Sequence, residues 1–219
     1  IYTYVDEAAV RHVFAVASSL DSQIIGEPQV LGQVREGHRA ASAAGMVGRE
    51  LDQLFQAAYG AAKRVRSETT IGERAVSIAS AAAQIAGDIH GDLKAIGVLV
   101  IGLGEIADLI VRQLKAAGAG QIALTGNGRR AEREAQALGY HYLPMEELDQ
   151  GLVRADITVS AAGLGKYLVE KEAVDRALRS RRYRPMLFLD GGLPHAIEPE
   201  VHALGAAVVY TLDDLEQVA

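Results

Sequence analysis

The 219 residues contain no cysteine and no tryptophan, and only five prolines and three phenylalanines. Without cysteine there is no disulfide, no thiolate metal ligand and no cysteine nucleophile within these residues. With aromatics at 5% of the chain, the core must be built from alanine, leucine, isoleucine and valine. No apolar run reaches the ~20 residues that span a bilayer, and no signal peptide is visible, so no membrane partner and a cytoplasmic location are expected. A formal charge of −6 gives no general attraction to nucleic acid, although arginines and lysines cluster locally. The chain opens on Ile1 rather than methionine, and a segment upstream of it is expected.

What is present is 49% hydrophobic and 23% charged, an ordinary globular balance. Residues 6–17, 28–45, 49–67 and 70–88 carry helical spacing. In the third, Leu51, Leu54, Phe55, Ala58 and Ala61 form one apolar stripe, with Lys63, Arg64 and Arg66 toward its end. In the fourth, Ala75, Ile78, Ala79, Ala82 and Ile85 recur at three and four, small enough for close helix packing.

After about residue 95 the rhythm changes. AIGVLVIG reads as a buried parallel strand. A helix (105–117), a strand (121–124), a helix (129–138), a short strand (140–143) and a helix (145–152) follow. Then come ADITVSAAG, a helix near 171–179, PMLFLDGG, AAVVYTL and a last turn. Alternating strands and helices predict an α/β class: a Rossmann-type doubly wound parallel sheet over residues 76–219, lead-in helix included, behind a helical part over residues 1–75.

Gly102-Leu103-Gly104-Glu105-Ile106-Ala107 fits the pattern G-x-G-x-x-G/A, directly after a strand and at the start of a helix. The first glycine permits the tight turn, the second a close approach of pyrophosphate, and Ala107 close helix–strand packing. A diphosphate would rest on the helix N-terminus. NAD enzymes place an acid about 20 residues on. Here the sequence reads LTGNGRR, with Asn127, Arg129 and Arg130 and no acid, which favours the 2′-phosphate of NADP(H). The two arginines could instead be a solvated first helical turn, where cations are unfavourable.

A second polar concentration lies in HVFAVASSLDSQIIGEPQVLGQV, between two amphipathic segments. Read alone, His12 is an ordinary half-buried histidine, Asp21 or Ser22 a helix cap, Glu27-Pro28 a helix first turn, and Gln29 with Gln33 a surface pair.

RHVFAVASSLDSQIIGEPQVLGQV, followed by LFQAAYGAAKRVRSET, AVSIASAA, VLVIGLGEIA, RALRSRRYRPMLFLD, PHAIEPEV and YTLDDL, resembles the glutamyl-tRNA reductase family over essentially the whole chain. The resemblance implies NADPH-dependent reduction of glutamyl-tRNA to glutamate-1-semialdehyde in tetrapyrrole synthesis. It implies that His12 is the active-site histidine, that Ser22, Glu27, Pro28, Gln29 and Gln33 line the glutamyl pocket, and that residues 102–107 hold the NADPH phosphates. Glutamyl-tRNA is then the implied substrate partner, and a downstream tetrapyrrole enzyme a candidate second partner.

The family's nucleophilic cysteine, in a Thr-Cys-Asn-Arg-like motif of an upstream segment, and its C-terminal dimerisation domain have no counterpart in these residues. The chain as given is therefore expected to be inactive. TGNGRR stands for the family's Asn-Arg-Thr, SAAG (160–163) for Ser-Thr-Ala, GLPHA for AVPRD with His195 and Ala196 replacing Arg and Asp, and Ser19 for a glycine. These departures leave a second expectation open: a divergent cysteine-less homologue acting as a binding or regulatory protein, or a reductase with another acceptor.

Overall fold

The computed structural model describes residues 3–22, 25–26, 28–102, 104–126, 128–161, 165–192 and 194–218, with only the backbone of 28–29 and 72–75. The chain divides into two compact units, residues 1–76 and 77–219.

The first unit is helical: α1 (Asp6–Ala17), α2 (Pro28–Ala43), α3 (Arg49–Glu68), a 3-10 turn at Thr70–Gly72, and the start of α4 (Glu73–His90). Its small core joins Ala17, Leu31, Ala58 and Ala62, with Val13, Phe14 and Tyr59 packed against it. Alanines at these positions let α1, α2 and α3 approach closely. The expected stripe on α3 is rotated slightly: Ala62 rather than Ala61 is buried, and Leu51 is 47% exposed. The helix expected from residue 70 starts at Glu73, because a 3-10 turn takes the first three residues.

α1 ends in a left-handed cap. Ser18, Ser19 and Leu20 donate backbone bonds to Phe14 (3.0 Å), Val16 (2.9 Å) and Ala15 (2.9 Å), and Ser19 sits at φ +57°. This is the 6→1, 5→2 pattern that normally selects glycine. The Ser19 carbonyl then accepts from Gly26 N–H at 2.8 Å and from the Ser22 hydroxyl at 3.3 Å, folding the junction back on the helix end.

The second unit is a six-stranded sheet in the order β3-β2-β1-β4-β5-β6, parallel throughout. The strands are β1 (Gly97–Ile101), β2 (Gln121–Gly126), β3 (His141–Pro144), β4 (Ile157–Ser160), β5 (Met186–Asp190) and β6 (Ala207–Thr211). They alternate with α5 (Glu105–Ala116), α6 (Gly128–Leu138), α7 (Leu148–Arg154) and α8 (Lys171–Ser180) before α9 (Leu212–Val218). β4 and β5 are buried along their whole length, as expected of central parallel strands covered on both faces. Leu99, Ile101 and Phe188 pack with Leu152, Val174 and Leu178 from α7 and α8. Gly151 makes that contact possible, since a Cβ there would lie 2.5 Å from Leu143 Cδ2. The expected helix at 145–152 is a 3-10 turn (Met145–Glu147) followed by α7, and the expected last turn is the seven-residue α9.

A buried ion pair clamps the sheet edge at the strand N-termini. Arg181, 4% exposed, bonds Asp156 and the Val153 carbonyl (3.0 Å), while Asp156 accepts Gly97 N–H at 3.0 Å. The strand order reverses between β1 and β4, so the crevice opens at the opposite edge, beyond Ile101 and Ser160.

Candidate functional site

At that crevice Gly102 turns left-handed (φ +73°) and donates its N–H to Thr125 O at 2.9 Å. Gly104 is the residue before α5; a Cβ on it would lie 3.0 Å from Ala161 Cβ. The turn thus runs tight against the end of β4, and only a glycine fits without displacement. Ile106 and Ala107 are buried, seating the first turn of α5 on the sheet. The first backbone N–H groups of a helix lack intrahelical partners and face the crevice end. Glu105 and Asp108 add two carboxylates to this turn, the second paired with Arg112 at 2.8 Å.

β2 runs two residues past its expected end, to Gly126. Gly128, at φ +63°, opens α6, so Arg129 and Arg130 occupy its first turn. Both are exposed, but they differ. Arg130 is paired with Glu134 at 3.0 Å, whereas the Arg129 side chain has no partner among the described residues. A lone cation at a helix N-terminus is electrostatically misplaced unless an anion joins it. Leu103 and Asn127 lie outside the described residues.

The β4–β5–β6 half of the crevice carries residues that the sequence reading did not name as site residues. Ser160 Oγ is buried with no hydrogen-bond partner among the described residues. Asp190, 2% exposed, accepts N–H bonds from Gly192 (3.1 Å), Ala196 (3.5 Å) and Ile197 (3.2 Å), and its Oδ2 lies 3.3 Å from His195 Nδ1. An acid closing the apolar run MLFL, just before Gly-Gly, was the available signal. Thr211 and Asp214 form a reciprocal cap on α9: the carboxylate accepts the Thr211 N–H (2.8 Å) and hydroxyl (2.6 Å), which hold it below the usual carboxylate range.

A dinucleotide fits these residues. Along one sheet edge lie Arg129 after β2, the Gly104 cradle and helix terminus after β1, and the Ser160 hydroxyl at the end of β4, the order that a ribose phosphate, a diphosphate and a ring would need.

In the helical unit, His12 lies on α1 with its Nδ1 3.2 Å from Asp21 Oδ2 and its ring 4.4 Å from that of Tyr4. The imidazole lies beside an open cavity of about 550 Å³ lined by Tyr4, Glu7, Arg11 and His12. Ser22 sits in the same junction. Glu27 lies outside the described residues, as do the side chains of Pro28 and Gln29. Gln33 is exposed on α2, one turn beyond Gln29. Of the predicted pocket residues, His12 lies beside Asp21, which the prediction did not include, and Ser22 follows in the same junction. Neither a cluster of three or more metal-ligating groups nor a helix long and apolar enough to cross a membrane occurs among the described residues.

Residues 1–69 match the sequence model of the glutamyl-tRNAGlu reductase N-terminal domain, and residues 84–218 that of shikimate/quinate 5-dehydrogenase. The chain is 42% identical over 219 residues to a glutamyl-tRNA reductase of Magnetococcus marinus, covering 100% of this chain and 52% of that protein. The chain belongs to the glutamyl-tRNA reductase family. A second reductase, from Rhodospirillum rubrum, is 46% identical over 213 residues, covering 97% of this chain and 49% of its own length. The solved glutamyl-tRNA reductase of Methanopyrus kandleri superposes with a TM-score of 0.62 at 35% identity, covering 98% of this chain and 54% of that one. The chain spans about half the length of the curated relatives it matches. Its second unit is thus a dehydrogenase-type dinucleotide-binding domain, and its first falls within the match to the family's N-terminal domain.

Proposed function

We propose that this chain supplies one wall of the glutamyl site and the NADPH domain of a reductase that converts glutamyl-tRNA to glutamate-1-semialdehyde. The observation that carries this reading is His12, oriented by Asp21 at the polar junction, in a chain that matches the family from end to end. NADPH would supply the hydride. The chain's own residues would hold it: the backbone around Gly102–Ala107 at the diphosphate and Arg129 at the 2′-phosphate, with Arg130 joining once released from Glu134.

With Nδ1 committed to Asp21, the proton chemistry of His12 passes to Nε2, which would polarise the glutamyl carbonyl or protonate the departing ribose hydroxyl. Ser22, Glu27, Pro28, Gln29 and Gln33 would hold the α-amino acid, the acid taking the ammonium and the amides its oxygens. The acyl group would be carried by a thiolate. These 219 residues contain none, so the chain by itself should not turn over. The reaction would be cytoplasmic.

A titration with glutamyl-tRNA against uncharged tRNA tests the pocket. The charged form should bind more tightly, and His12→Ala or Asp21→Ala should remove the difference. Equal affinity of the wild type for the two forms overturns the reading.

A further inference from the structure

The helical unit carries a second polar site that neither the glutamyl pocket nor the nucleotide crevice uses. An open cavity of about 440 Å³ lies between α2 and α3, lined by Arg35, His38, Arg39, Ser42, Gln56 and Tyr59. His38 is its buried anchor, 9% exposed. Its Nδ1 is 2.9 Å from the Tyr59 hydroxyl, and its ring stacks on Phe55 with centroids 4.5 Å apart. Its Nε2 is buried without a hydrogen bond, the nearest carboxylate being Asp52 at 3.4 Å in poor hydrogen-bonding geometry. Arg35 lies over the Tyr59 ring, 5.1 Å from its centroid.

The aromatic cluster therefore acts as a platform that fixes one guanidinium. Arg39 follows one turn later on the same face of α2, about 6 Å away. Neither arginine has an ion-pair partner among the described residues, whereas Arg11, Arg64, Arg112, Arg176 and Arg179 each meet a carboxylate. Lys63 continues the cationic strip on α3, one turn beyond Tyr59. Asp52, 3.4 Å from His38 Nε2, does not line the groove.

We propose that this groove binds the phosphate backbone of an RNA, with Arg35 and Arg39 bracketing a phosphodiester and Ser42 and Gln56 donating to its oxygens. Planar guanidiniums, one stacked and both unpaired, suit phosphate oxygens, and hydroxyl and amide donors complete the set. In a chain of net charge −6, an open groove with two or three uncompensated cations is a local exception. The assignment rests on the reading of this chain as one that handles charged tRNA, and it names where the tRNA backbone would be held.

The test uses the whole chain with uncharged tRNA, so the glutamyl pocket plays no part. Two phosphate contacts lower affinity about tenfold between 50 and 200 mM salt. R35E/R39E should lose that margin, weakening binding about tenfold at low salt and flattening the salt dependence by about two contacts. R35K/R39K should keep most of it, and Arg112→Glu on the sheet unit should leave it unchanged. Inorganic phosphate should compete only as strongly as its ionic strength dictates, since a discrete small-anion site would show stoichiometric competition and overturn the RNA assignment. An unchanged affinity and salt slope in R35E/R39E, with the melt unchanged, also overturns it. Loss of the charged-over-uncharged preference in His12→Ala with full uncharged-tRNA binding retained would leave this site standing, which separates the two readings.

Discussion

Gly26→Ala perturbs the junction that carries His12, Asp21 and Ser22. Gly26 sits at φ +88°, and a Cβ built on it would lie 1.9 Å from Ile71 O and 2.6 Å from its carbonyl carbon. Ordinary contact begins near 3.4 Å, so the loop or the backbone at Ile71 must retreat about 1.5 Å. A side chain in left-handed backbone costs about 1–2 kcal/mol, and forced overpacking about 1–3 kcal/mol. Distortion of the 2.8 Å bond from Gly26 N–H to Ser19 O adds about 1 kcal/mol. The sum, about 3–6 kcal/mol, is a large part of a small domain's total stability. Urea unfolding followed by far-UV circular dichroism, with limited proteolysis to locate the loss in residues 1–76, measures it. Gly32→Ala is the internal contrast: it lies within α2 with nothing within 4 Å of its Cβ, and should stabilise by about 0.5–1 kcal/mol. A loss below about 1 kcal/mol in Gly26→Ala would refute the reasoning that this junction is sterically fixed.

Ser19→Gly should stabilise the helical unit by up to about 1 kcal/mol, because Ser19 holds a left-handed helix cap; a destabilised urea midpoint would count against the cap assignment. Arg181→Met should cost about 3 kcal/mol or more in the sheet unit by leaving Asp156 buried and unpaired, with Arg184 only 4.0 Å away as partial relief; Arg64→Ala, at an exposed pair, should change the same melt by less than about 0.5 kcal/mol. His90 is held below its ordinary range chiefly by burial, with Arg181 adding to the effect and Asp156 opposing it. Its neutral form is thus favoured in the fold, so its contribution is present above about pH 6.5 and lost as pH falls through that value toward the folded pKa. Thermal melts should lose stability over that window, and His90→Gln should flatten the slope; an equally steep slope in the variant would assign it to other groups.

Much of the fold was legible because the two periodicities differ sharply. VLVI and MLFL are continuous apolar runs that read as buried parallel strands, and the alternation of strands with helices led to the doubly wound parallel sheet that is observed. Element ends were less legible. Pattern reading cannot separate a 3-10 turn from the helix it precedes, which is why residues 70–72 and 145–147 were read as α-helix. The glycine turn was visible because backbone geometry dictates its residues. Asp190 and the His38–Tyr59 pair were not, since each depends on partners brought from elsewhere in the fold: Asp190 on a loop that curls back, His38 on a residue 21 positions away. Arg129 and Arg130 were equivalent in sequence, and side-chain pairing with Glu134 is what distinguishes them.

The central claim is that the second unit is an NADPH domain selected by Arg129. Titration of the chain with NADPH and with NADH, followed by nucleotide fluorescence, tests it directly. NADPH should bind about tenfold or more tightly than NADH, as a charge-assisted pair to one phosphate provides, and Arg129→Glu should remove the preference while leaving NADH binding in place. Equal binding of the two nucleotides by the wild type, or binding of neither, would contradict the account.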